Sequence, residues 1–160
     1  MSEHGEDKRE APRELAVVRA SGRLFAVYAD EADSVTEGLR PTPLPGAPPA
    51  VLGVVCVRGR MRTVLDPLAL FGETTRDATD AATPGFVLAL RGDEQLALAV
   101  ERVERIIEAQ PNSIQPPGEE SGAAPLRGHL LLDGGTVAVL DPARLFEAAM
   151  QGTERRRQRQ

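Results

Sequence analysis

The sequence predicts a mainly β protein made of two small barrels or curled sheets, with roughly four or five short strands in each half. Three observations lead there. Apolar residues come in short runs bounded by Gly, Asp or Pro turn signals, and the 160 residues include 15 Gly and 13 Pro. A block of the first half recurs 75 residues later: Val64-Leu65-Asp66-Pro67 and Leu70-Phe71 return as Val139-Leu140-Asp141-Pro142 and Leu145-Phe146. The chain is 41% apolar but has only four Phe, one Tyr and no Trp, so its core must be built from Val, Leu and Ala.

Taken in order, Glu14 to Ala20 reads as a strand, and Ser21-Gly22-Arg23 turns it into Leu24 to Ala29. Pro41 to Pro49 must be extended, because proline has no N–H to give to a helix or a central strand. Ala50 to Val57 is an almost continuous apolar run, and Arg58-Gly59-Arg60 turns it into its hairpin partner, Met61 to Leu65. Asp66-Pro67 opens a short helical turn over Leu68 to Phe71: the carboxylate caps free N–H groups and proline suits the first position. Gly72 stops it. Glu73 to Pro84 lacks large apolar residues and is expected to be a linker.

The second half repeats the plan. Phe86 to Leu90 and Leu96 to Val100 flank a turn at Arg91 to Glu94, and Val103, Ile106 and Ile107 continue the apolar pattern. A polar loop spans Pro111 to Pro125. Leu126 to Leu132 and Thr136 to Leu140 flank Asp133-Gly134-Gly135, and Asp141-Pro142 starts a helix ending near Met150. At the offset of 75, Gly53 matches Gly128, Val57 matches Leu132 and Gly59 matches Gly134; Leu24 pairs with Leu96 at 72. The expected organisation is a disordered segment 1–13, a first barrel over about 14–72, the linker 73–84, a second barrel over about 85–150 and a basic, disordered tail 151–160. Each half is marginal alone at this size, so the two should pack together, with Phe71 and Phe146 as matching core residues.

Composition excludes several functions. The net charge is −5, and the stretch Glu154 to Gln160 carries four Arg against one Glu, leaving −8 for the rest. An acidic body argues against whole-domain nucleic-acid binding. No apolar run approaches the ~18 residues of a membrane-spanning helix. The charged start, MSEHGEDKREAPRE, lacks the apolar segment of a secretory signal. Cys56 is the single cysteine and cannot form an internal disulfide, which agrees with a cytoplasmic setting. With only His4 and His129 beside it, Cys and His assemble no metal cluster. No cofactor, metal or small-molecule substrate is implied.

Catalytic groups are sparse. There is no phosphate-binding loop, nucleophile elbow or zinc-protease motif. Asp66 and Asp141 occupy matching positions, but the Pro after each favours helix capping over an acid–base pair. Cys56 lies within an apolar run, where a buried, inert thiol is expected rather than a nucleophile. The tail arginines, Arg155, Arg156, Arg157 and Arg159, have no interleaved aromatics, so a solvated tail is favoured over a nucleic-acid or lipid contact. Arg58 is the more informative group. With Arg60 and Arg62 it puts three arginines on one hairpin turn, suited to an acidic partner.

The run from Pro45 to Arg60, PGAPPAVLGVVCVRGR, resembles the P-N-x-P-x-x-[IV]-x-G-V-[IV]-N-L-R-G signature of the CheW family of bacterial chemotaxis coupling adaptors. Val64-Leu65-Asp66 and Leu70-Phe71-Gly72 resemble the family's V-[IV]-D-L and F-G elements. Ala99-Val100-Glu101-Arg102-Val103, Ile114-Gln115-Pro116-Pro117, Leu126-Arg127-Gly128 and Val139-Leu140-Asp141 resemble its later motifs, and the resemblance as a whole runs from about Arg13 to Met150. The resemblance implies two five-stranded, SH3-like β-barrels, no enzymatic activity, and bridging of chemoreceptor tips to the regulatory domain of the histidine kinase CheA, with other CheW-like proteins as ring neighbours. It implies receptor binding by Arg58, Gly53, Phe86, Val87 and Leu88, and kinase binding by Ala32, Ser34, Val35 and Leu44. One departure bears on function. The family's V-x-E-[IV] is Ala32-Asp33-Ser34-Val35 here, with the acid one residue early, in an acidic stretch short of β-branched residues. That change directs the alternative expectation, an adaptor that binds receptors but contacts the kinase weakly or not at all.

Overall fold

Residues 11–71, 85–92, 94–118 and 125–150 are described by a computed structural model. The expected linker 73–84, the tail 151–160 and the first ten residues of the N-terminal segment lie outside them. The apolar runs become strands: β1 (Arg13–Ala20), β2 (Arg23–Tyr28), β3 (Ala32–Glu37), β4 (Val51–Val57), β5 (Arg60–Leu65), β6 (Phe86–Leu90), β7 (Leu96–Val100), β8 (Arg102–Ala109), β9 (Leu126–Leu132) and β10 (Gly135–Leu140). Short 3-10 turns follow the two Asp-Pro pairs, Ala69–Phe71 and Pro142–Arg144, and the second runs on into a helix over 145–150. No described helix is long and apolar enough to cross a membrane.

The strands form two five-stranded sheets, in the orders β8-β1-β2-β10-β9 and β3-β6-β7-β5-β4. If β1 to β5 are matched one by one with β6 to β10, the two orders are the same order. Each sheet therefore takes two strands from one copy of the repeat and three from the other. The expected division into 14–72 and 85–150 does not describe these sheets, because each crosses it. Parallel ladders β2–β10 and β5–β7 join the two contributions within each sheet. Connection length gives the physical reason. Only Glu101 separates β7 from β8. A single residue cannot reverse a strand onto its neighbour, since tight hairpins need about two, so the chain crosses to the other sheet. The 3-10 turn Ala29–Glu31 makes the matching crossing from β2 to β3.

Burial follows from this exchange. Leu15, Val17, Ala26, Tyr28, Leu130, Val137 and Val139 fill the inside of the first sheet. Val55, Val57, Val64, Val87, Ala97 and Ala99 fill the second. A third, larger cluster lies between the sheets, where Val18, Phe25, Val27 and Leu140 meet Leu65, Leu88, Leu90 and Leu98. Strands such as β1 and β7 are thus buried on both faces, which is why they read as continuous apolar runs rather than alternating ones.

One expected core residue moves out. Phe71 stacks on Phe25 with ring centroids 5.8 Å apart, but Phe146 is 45% exposed. Phe25 lies opposite Ala138, and Leu96 lies opposite Thr63, 75 residues earlier. Leu96 is therefore the counterpart of Phe25, one place from the expected match with Leu24. Phe146 finds no ring in the second copy.

Candidate functional site

Arg58 sits at the tip of the β4–β5 hairpin with φ +54, and its counterpart Asp133 tips the β9–β10 hairpin with the same φ of +54. Asp is among the residues that tolerate this left-handed conformation, whereas a long cation has no such preference. The first copy thus keeps an arginine where the backbone disfavours it by roughly 1 kcal/mol. Arg58 and Arg60 are exposed, but Arg62 is only 6% exposed, so the basic turn presents two arginines rather than the expected three. Cys56 is exposed, not buried, and lies directly opposite Met61, itself 57% exposed. The reason is strand alternation: Val55 and Val57 point inward, so Cys56 points outward on the edge strand β4.

Gly53 is buried at a register shift in the β4–β5 ladder, with φ +148. A Cβ there would stand 2.3 Å from the Thr42 carbonyl oxygen. Gly128 repeats the arrangement at φ +155, with the Gln115 carbonyl oxygen 2.0 Å away. Both glycines let a crossing segment press onto an edge strand, through the paired bridges Thr42–Val54 and Gln115–His129. A requirement met identically in both copies belongs to the fold. Val87 and Leu88 are each 1% exposed, one inside the second sheet and one in the seam, so their side chains lie in the core rather than at the surface. Of the expected β6 residues, Phe86 alone reaches the surface, half-buried at the strand's start.

The other expected group divides between two edges of one sheet. Ala32, Ser34 and Val35 lie on the outer strand β3, while Leu44 lies on the Pro-rich connection, two residues past the Thr42 bridge to β4. Val35 and Leu44 are 45% and 43% exposed, as a docking surface requires; Ala32 and Ser34 are half-buried. β3 pairs directly with β6, so Val35 stands opposite Leu88 and the two expected surfaces share a ladder. Asp33 is the extra residue where that register shifts, and its carboxylate meets Arg62 at 3.1 Å and Arg91 at 3.8 Å. The early acid of the Ala32-Asp33-Ser34-Val35 segment is thus engaged inside the protein.

Sequence reasoning missed a polar cluster at the other sheet. The Arg13 and Arg127 guanidinium groups lie 3.5 and 4.9 Å from the Tyr28 ring centre. Arg13 also pairs with Asp30 at 3.0 Å, and Arg127 with Glu31. Burial pushes the Glu31 carboxyl up from its ordinary value, against the pull of Arg127. Glu104, hydrogen-bonded by Arg19 at 2.6 Å, is held below it. These residues are scattered in sequence, and only the single Tyr28 hinted at a special environment. Asp66 and Asp141 cap as expected, accepting from the Leu68 and Ala143 N–H groups at 3.1 and 3.2 Å. The arrangement suits recognition of protein surfaces by exposed arginines and single apolar anchors.

A family model described as CheW-like domain matches residues 14–150. Among solved structures, the chain is similar to the crystal structure of the scaffolding protein TtCheW from Thermoanaerobacter tengcongensis, at 21% identity and a TM-score of 0.72. That alignment covers 86% of this chain and 94% of the other, and at such identity it speaks to the fold. No curated protein sequence matches significantly.

Proposed function

The chain belongs to the CheW-like domain family, and from this premise we propose that it is a non-catalytic coupling adaptor. It links the cytoplasmic tips of chemoreceptors to the regulatory domain of a CheA-type histidine kinase, within cytoplasmic arrays that control motility. The single observation carrying this reading is the strained, exposed Arg58 where the second copy has Asp133. A backbone that disfavours the residue keeps it for what its side chain does outside the fold. Arg58, Arg60 and the neighbouring Met61 make the receptor-facing surface; Phe86, opposite Val100, lies toward the other end of the same sheet. Val35 and Leu44 offer apolar anchors to the kinase. Coupling is mechanical: two packed, exchanged sheets pass a displacement at one surface to the other.

A second reading is the divergent adaptor, which joins receptors and neighbouring CheW-like proteins but holds the kinase weakly. The inward engagement of Asp33 favours it, because β3 then offers Val35 as its one large exposed apolar side chain among the described residues. Titrating the full chain with a receptor signalling domain, and separately with a kinase regulatory domain, tests both. Arg58→Asp places the second copy's residue at the tip, relieves the backbone and reverses the charge. It should weaken receptor binding at least tenfold while leaving stability equal or slightly higher. Receptor affinity equal to wild type would overturn the site, and ordinary kinase affinity would overturn the divergent reading.

A further inference from the structure

Arg62 is a buried cation in the middle of an apolar interior. It lies on β5 beside Val64, on the face turned into the second sheet, and is 6% exposed. Its counterpart in the other sheet is Val137, fully buried among Leu15, Val17 and Leu130. The fold therefore accepts plain valine at this place. The guanidinium donates to the Leu90 carbonyl oxygen at 2.6 Å and to Asp33 at 3.1 Å, while its Nε is buried with no hydrogen-bond partner among the described residues. An incompletely satisfied buried ion pair is a poor source of global stability, since an apolar residue of similar size often does as well or better. What the pair does is geometric. Leu90 ends β6 and Asp33 is the extra residue of β3, so one side chain reaches from the Arg58 hairpin across the sheet to its far edge.

The edge tied from across the sheet is the weaker of the two. β3 is a six-residue edge strand, Ala-Asp-Ser-Val-Thr-Glu, whose ladder to β6 is broken between Ala32 and Ser34. Its counterpart β8 has eight residues, with Val103, Ile106 and Ile107, and an equivalent break at Glu104, which meets Arg19 and Arg102. Each acid meets two arginines, but Arg102 lies on β8 itself, whereas Arg62 reaches Asp33 from β5 across the sheet.

We infer that Arg62 is a positioning residue, which pins the β3 edge to the hairpin bearing Arg58 and so presents Val35 in a fixed place. Its assignment to the kinase surface rests on the function proposed above; the pinning itself does not. Hydrogen exchange on the full chain measures it directly. Arg62→Val should speed exchange of the β3 amides roughly ten- to a hundredfold, the loss expected for hydrogen bonds from a charged group. The β8 amides should stay at the wild-type rate, as an internal control for global loosening. Asp33→Ala should act in the same direction, and the double variant should add little to Arg62→Val. Arg62→Val should also weaken kinase-domain binding several-fold and leave receptor binding unchanged. Unchanged β3 exchange, or equal acceleration of β3 and β8, overturns the inference. A wild-type chain that ignores the kinase domain while the β3 effect persists overturns the kinase assignment and leaves the pinning standing.

Discussion

Replacing Gly53 by alanine should cost about 2–4 kcal/mol, and replacing Gly128 should cost the same within about 1 kcal/mol. The figure comes from what the methyl group would displace. At Gly53 the new Cβ stands 2.3 Å from the Thr42 carbonyl oxygen, which cannot yield without breaking a bridge. That bridge holds two backbone hydrogen bonds, Thr42 N–H to the Val54 oxygen at 2.8 Å and the reverse at 2.9 Å. Losing both costs about 1–3 kcal/mol net, and a non-glycine residue at positive φ adds roughly 1. At Gly128 the same two bonds, both 2.8 Å, join Gln115 and His129. For a domain of this size the loss appears as a fall in Tm of roughly 6–12 °C. Urea unfolding followed by circular dichroism, with each variant's receptor affinity measured on the folded fraction, is the assay. If Gly53→Ala lost under about 0.5 kcal/mol, or abolished receptor binding at full stability, the glycine would be a contact residue and the argument from the repeat would fail.

Three further outcomes are expected. Phe71→Ala removes the ring stacked on Phe25 and should lose roughly 2–3 kcal/mol, whereas Phe146→Ala, at a site 45% exposed, should lose about 0.5, both read by chemical denaturation. Glu104 ionises more readily in the folded state than its ordinary value of 4.5. Its contribution is thus present above that value and lost as pH falls through the lower folded pKa, so the deficit of Glu104→Gln at neutral pH should shrink as the pH is taken below 4.5 and vanish below the folded pKa. Glu31 has the opposite sign, because burial makes its folded state hold the proton more tightly. Wild type should gain on Glu31→Gln as pH falls from neutral, and unfolding curves at a series of pH values would show a constant gap if the burial argument were wrong.

Duplication supplies a rule for separating fold from function in this chain. Positions alike in both copies, such as Gly53 and Gly128 or Asp66 and Asp141, answer demands of the backbone. Positions where the copies differ against a local preference are where selection acted on something else. Arg58 against Asp133 breaks the backbone preference at a tip. Arg62 against Val137 breaks the apolar preference of an interior. Both lie on one hairpin, and they point to its two ends, the exposed tip and the far edge of the sheet.

Much of this was written in the order of residues. Short apolar runs, turn residues and the offset of 75 determined the strands, the hairpin tips, both Asp-Pro caps and the duplication, because each depends on neighbours a few residues apart. The tertiary structure alone decided which strands share a sheet. That choice turns on the single residue between β7 and β8 and on which faces find cover, and it exchanged halves that had read as successive barrels. It also decided exposure within an apolar run, burying Val87 and Leu88, turning Cys56 and Phe146 outward, and drawing Arg62 inside to meet Asp33, 29 residues before it. Local sequence states what a residue prefers. Which side of a strand is covered, and by what, is set by partners far along the chain.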